Sequence, residues 1–186
     1  MRLTADLRDL AAVPAFRTLL AVRLVSQTGD GMVQAGLATL FFFRPQNMAD
    51  ATGVFAGPFI DRWRRRQTLL ACNLVRSGLI AMTAVCLSTQ GIGPAVYVLV
   101  LIILGVNRFL LSVLSAGLPQ IIRHERLLVA NSIMPTLGGA ATAVGVGLGL
   151  LLRLLIPVGI GQDIGSLTIA AGLYALAAGV VTRLGR

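Results

Sequence analysis

The sequence predicts an all-α, polytopic integral membrane protein, a helical bundle forming a single domain over residues 1–186. Three observations carry that prediction. Hydrophobic residues make up 56% of the chain and charged residues only 12%, far from the balance of a soluble domain. Four apolar runs reach the ~20 residues that a helix needs to span a bilayer, and a fifth does so with polar interruptions. The links between the runs alternate between arginine-rich and arginine-poor, the pattern that turns positively charged loops toward the cytoplasm.

The runs follow in order. The first, about residues 19–43, starts near Arg17 and Arg23 and closes at Arg44. The next, about 68–87, follows the basic stretch Arg62–Arg66 and ends at the uncharged link Ser88–Pro94. A third, about 95–118, runs to the basic link Arg123–Arg126. The fourth, about 132–157, is rich in glycine and ends in a link that carries Asp163 but no arginine. The last, about 164–182, stops at Arg183 and Arg186. Arginine placement puts Arg62–Arg66, Arg123–Arg126, Arg183–Arg186 and the N-terminal Arg2, Arg8, Arg17 and Arg23 on the cytoplasmic side. Both termini are therefore expected in the cytoplasm of a multi-pass plasma-membrane protein.

That assignment requires one more crossing between Arg44 and Arg62, and only Pro45–Asp61 is available. Those residues rise ~25 Å as a helix, against ~30 Å of hydrocarbon. Gln46, Asn47 and Asp50 are polar, and Pro58 lies inside the stretch. An extended strand reaches farther but leaves backbone groups unpaired in lipid. A shortened helix, or the junction left by an absent one, is expected over about residues 46–60.

Several function classes are excluded on composition. The formal charge is +9 and every basic residue is arginine. No basic patch is interleaved with aromatics, so no nucleic-acid partner is expected. Cys72 and Cys86 are separated by ~21 Å of helical rise, beyond disulfide reach. No cluster of cysteine and histidine has metal-ligand spacing, and no metal or cofactor is expected. His124, the single histidine, lies in a loop without a nucleophile, so no enzyme is predicted. The N-terminus shows no cleavable signal.

The candidate functional residues lie inside the apolar runs. Arg23, Gln27, Asp30 and Gln34 are spaced four, three and four apart and share one helix face. Asp30 reads as a proton acceptor lining a transport cavity, since an ionisable residue in a spanning helix is a functional hypothesis by default. Its alternatives are a structural aspartate paired with a basic group, or a helix break at Gly29–Gly31. Asn107 and Arg108 lie mid-run with Ser112 and Ser115 near Arg108's face. By helical rise Arg108 can meet Asp30, as a proton-coupled switch or as a permanent ion pair. Arg76 is expected to snorkel toward the cytoplasm. Gly138, Thr142, Gly145 and Gly149 form a small-residue face for helix packing or for sliding. Trp63 is expected to anchor the interface.

The stretch GPFIDRWRRR places Gly57, Asp61, Arg62, Arg65 and Arg66 in the spacing Gly-x-x-x-Asp-Arg-x-x-Arg-Arg. This resembles the loop between helices 2 and 3 of the major facilitator superfamily, with Arg64 where that pattern has a second glycine. Asn107–Phe109 and Ser115–Met134 are similar to helix 4 and the following loop of the family's exporter branch, which includes drug–proton antiporters and siderophore exporters. The glycine-rich Leu137–Gly149 resembles helix 5 of antiporters.

Members of that family have twelve helices in two halves of six. The resemblance implies that this chain holds helices 1, 3, 4, 5 and 6 of the N-terminal half, with most of helix 2 missing. It also implies a gradient-driven secondary transporter, exporting small amphipathic molecules in exchange for protons, with Gly57, Asp61, Arg62, Arg65 and Arg66 as a conformational latch. The implied partners are the lipid bilayer, a small-molecule substrate and a second six-helix half. The other class left open is a non-transporting truncated membrane protein or an assembly partner of another bundle.

Overall fold

A computed structural model describes residues 9–37, 65–156 and 160–183. Their regular structure is entirely helical, with no strand among the described residues. The helices are α1 (Pro14–Gly36), α2 (Arg65–Gln90), α3 (Pro94–Gly117), α4 (Leu127–Leu155) and α5 (Ile160–Val181). Two 3₁₀ turns, Leu118–Gln120 and His124–Arg126, join α3 to α4.

Local sequence sets several boundaries. Pro14 and Pro94 sit in the first turn of α1 and α3, where a missing N–H costs nothing. At the end of α2, Gly91 turns left-handed at φ 68° and its N–H closes onto the Leu87 carbonyl at 3.2 Å. An L side chain there would be strained, so the glycine fixes the exit to α3. Pro135 lies inside α4, which membrane helices tolerate.

Among the described residues, four helical segments are long and apolar enough to cross a membrane: Arg66–Gln90, Pro94–Gln120, His124–Leu155 and Gly161–Val181. The chain is thus a polytopic membrane bundle. α1 does not reach that hydropathy, and the packing shows why it need not. It is wedged between α4 on one flank and α5 on the other, while α2 packs on α5 and α3. Much of its surface faces protein instead of lipid.

Contacts also give directions. Ser26 and Asp30 of α1 meet Asn73 and Arg76 of α2, so these two helices run parallel. α4 runs the same way, with Gly138 against Gln27 and Gly149 against Ala35. α5 runs opposite, with Tyr174 against Gly29 and Ser166 against Gly36. The described chain therefore leaves α1 at one end of the bundle and resumes in α2 at the other. The segment expected to be shortened, 46–60, lies outside the described residues.

Two apolar clusters fill the ends of the bundle. One joins Phe16, Leu19 and Val22 with Leu110, Leu114 and Met134. The other joins Met32 and Val33 with Ile80, Ile103 and Leu167. Between them lies a polar belt of buried Arg23, Ser26, Asp30, Asn73 and Arg76. In lipid, apolar association has little driving force, so small-residue packing and interhelical polar bonds hold such a bundle.

Candidate functional site

Asp30 projects from α1 toward α2 and α5, where it meets Arg76 and Tyr174. Arg76 pairs with Asp30 Oδ1 through Nη2. The same nitrogen donates to the Tyr174 hydroxyl at 2.8 Å, and that hydroxyl donates to Asp30 Oδ1 at 2.7 Å. The guanidinium also lies over the Tyr174 ring, 4.0 Å from its centroid, in cation–π geometry. Arg76 and Tyr174 are 0% exposed and Asp30 is 8% exposed. One face of Gly29 makes the approach possible, because a Cβ there would meet Tyr174 Cε1 at 2.9 Å. Removing one partner from a buried ion pair typically costs about 3–5 kcal/mol, because the other charge is left uncompensated.

The network is incomplete on one side. Asp30 Oδ2 has no hydrogen-bond partner among the described residues, and neither do Arg76 Nε and Nη1. A cavity of about 30 Å³ opens between α1 and α3, lined by Asp30 and Gln34 on one side and by Asn107 and Ile103 on the other. Asn107 Oδ1 is likewise buried without a partner.

Two expectations change here. Arg108 is exposed on α3 and forms no ion pair with Asp30. α3 turns Val100, Ile103, Leu104 and Asn107 toward α1, and Arg108, about 100° round the helix from Asn107, is left exposed at the side. Arg76 does not snorkel: its stem and head are enclosed, and its charge is satisfied inside the bundle by Asp30.

Around this centre, Ser26 donates to Asn73 Oδ1 at 2.6 Å, and Asn73 Nδ2 donates to the Leu69 carbonyl at 2.9 Å. Arg23 is 6% exposed, and its Nε donates to Gln27 Oε1 at 3.2 Å. Gln27 is thus half-buried beside Arg23, while Gln34 is exposed and lines the cavity.

The small-residue face of α4 lies against α1. A Cβ on Gly31 would collide with the Thr142 carbonyl and come within 2.6 Å of Val146 N. One on Gly145 would collide with the Thr28 carbonyl. Gly138 makes room for Gln27 and Gly149 for Ala35. Backbone-to-backbone approach of this kind requires glycine on both helices.

A second ion pair went unnoticed in the sequence. Arg153 at the end of α4 donates to Asp163 Oδ1 of α5 at 2.7 Å and reaches toward the Gly36 carbonyl of α1. Gln162 caps the same helix end, donating to the carbonyls of Arg153 and Ile156 at 2.8 and 2.7 Å. Its signal was an arginine in an arginine-poor half, next to the one acid of the following link. Among the described residues no group of three histidine, cysteine, aspartate or glutamate side chains is placed to hold a metal ion, and Cys72 and Cys86 are free.

Over 168 residues, 82% of this chain, the sequence is 34% identical to an uncharacterised MFS-type transporter of Mycobacterium tuberculosis. The same figures hold for one so described from Mycobacterium bovis. The likeness supports the major facilitator family for this chain. The chain spans 38% of the length of each of these relatives. No family model matches the sequence, and no solved structure matches it.

Of the residues expected to form the family's latch, Gly57, Asp61 and Arg62 lie outside the described residues, as does the side chain of Arg65. Arg66 donates to the Thr182 carbonyl at the end of α5, at 3.1 Å. The arginine that engages Asp30 comes from α2, not from the helix that carries Asn107 and Arg108.

Proposed function

We propose that this chain is part of a secondary active transporter of the major facilitator type, and that it couples the export of small amphipathic, drug- or siderophore-like molecules to protons through Asp30. The observation that carries this is the buried Asp30–Arg76–Tyr174 network, which joins three helices in the middle of the bundle and leaves one oxygen of a cavity-lining carboxylate without a partner among the described residues. A charged pair so placed is expensive to keep in a membrane and marks a pathway for ions or substrate.

The chemistry follows from charge. With Asp30 ionised, the pair is neutral and ties α1 to α2 and α5. With Asp30 protonated, Arg76 retains its charge but loses its counterion, and the network carries one net positive charge. Two such states of differing helix contact are what alternating access requires. Alternation takes place between two helical halves, so the working transporter includes a second six-helix half. The bundle lies in the plasma membrane, with the arginine-bearing ends of its helices in the cytoplasm.

The test is transport. Vesicles containing the transporter are expected to accumulate a fluorescent lipophilic cation when a proton gradient is imposed, and Asp30→Asn is expected to abolish the gradient-driven part. Accumulation that persists in Asp30→Asn would remove Asp30 from the coupling step.

A further inference from the structure

We propose that a water molecule held between Asp30 Oδ2 and Asn107 Oδ1 delivers protons to Asp30, and that Asn107 is its positioning residue. The inference rests on the proton-coupled reading above and deepens it by naming the route to the carboxylate. Three observations converge. Asp30 Oδ1 is occupied by Arg76 and Tyr174, so a proton arrives at Oδ2. Oδ2 and Asn107 Oδ1 are both buried and both lack a partner among the described residues. Asp30 and Asn107 line one cavity of about 30 Å³.

Two unpartnered acceptor oxygens, on two residues that line one cavity, call for a donor with two hydrogens. Water fits: it donates one hydrogen to the carboxylate and one to the amide carbonyl. The volume has room for about one or two water molecules. A metal cation fits less well. Among the described residues, Gln34 is the one further lining side chain with an oxygen besides Asp30 and Asn107, the other lining side chains are apolar, and Arg76 already neutralises the carboxylate. Gln34, exposed on α1, lines the same cavity.

The proton step balances without another reactant. A hydronium proton passes to Asp30 Oδ2, an O–H bond forms, and neutral water remains, still bonded to Asn107. The reverse step returns the proton. The ionisable groups facing Asp30 are Arg76 from α2 and Tyr174 from α5. Neither α3 nor α4 presents a charged side chain to it among the described residues.

The experiment is time-resolved infrared spectroscopy of the protein in liposomes after a jump to acidic pH. The carboxylic-acid C=O band of Asp30 is assigned by its loss in Asp30→Asn. Asn107→Leu is expected to slow the rise of that band by about a hundredfold or more, the scale on which a positioned proton-transfer group acts. Asn107→Ser, which keeps an oxygen and leaves room for water, is expected to restore the native rate. Ile103→Phe fills the same cavity from its apolar wall and is expected to slow the band as Asn107→Leu does. It serves as the reporter where Asn107→Leu fails to reach native helicity. A native rate in a folded Asn107→Leu or Ile103→Phe variant overturns the water route. Absence of any Asp30-dependent band in the native protein is a different failure, and removes the proton-coupled reading beneath it.

Discussion

Asp30→Asn is expected to destabilise the bundle strongly, and to do so through Arg76. The substitution keeps the size of the side chain and removes its charge. Arg76 is 0% exposed and has no other anion among the described residues, so its guanidinium stays buried with only the Tyr174 ring and hydroxyl. Stranding a buried charge in this way costs about 3–5 kcal/mol. For a chain of this size that corresponds to a fall in melting temperature of about 10 °C. Arg76→Gln strands Asp30 instead and is expected to cost a similar amount. In Asp30→Asn with Arg76→Gln no charge remains, and the two amides can bond across the same gap. The double variant is therefore expected to lose less than the sum of the two single losses, by a coupling energy of about 2–3 kcal/mol. The assay is thermal unfolding in lipid nanodiscs, followed by circular dichroism. Arg108→Gln serves as the control: it is exposed and outside the pair, so its effect is expected within about 0.5 kcal/mol. Additive losses in the double variant, or a loss at Arg108 matching that at Arg76, would refute the pairing.

Tyr174→Phe keeps the ring under Arg76 but removes the hydroxyl that joins it to Asp30. A loss of about 1.5–3 kcal/mol is expected in the same assay, the scale of a hydrogen bond to a charged group. Gly145→Leu is expected to prevent α4 from seating on α1, because even a Cβ at that position collides with the Thr28 carbonyl. Cross-linking between engineered cysteines on α1 and α4 checks it, with efficient native-like cross-linking as the contrary result.

The membrane bundle was legible in the sequence because hydropathy and arginine placement are local, additive signals. Helical spacing groups Arg23, Gln27 and Asp30 on one side of α1, but the packing divides them: Gln27 lies against Gly138 of α4, and Asp30 against Arg76 and Tyr174. The partner of Asp30 was not legible. Periodicity gives the residues that share a face on one helix, but not the rotation of one helix against another. Arg76 and Arg108 both sit mid-helix with compatible heights, and only the packing of α3 through Asn107 and Ile103 turns Arg108 away. Tyr174 carried a weak signal, as a hydroxyl in an otherwise apolar helix that must find a polar partner when buried. Arg153 and Asp163 lie on opposite sides of a link, so neither helical spacing nor loop charge alone joined them.

The most direct measurement is a spin-label distance between α1 and α2, taken at acidic and alkaline pH. Labels at Arg17 and Leu74, both exposed, suit it once Cys72 and Cys86 are replaced. Acid is expected to change the distance distribution in the native protein. Asp30→Asn is expected to show the acid distribution at every pH. A distribution that still responds to pH in Asp30→Asn, or does not respond in the native protein, would contradict Asp30 as the protonation switch.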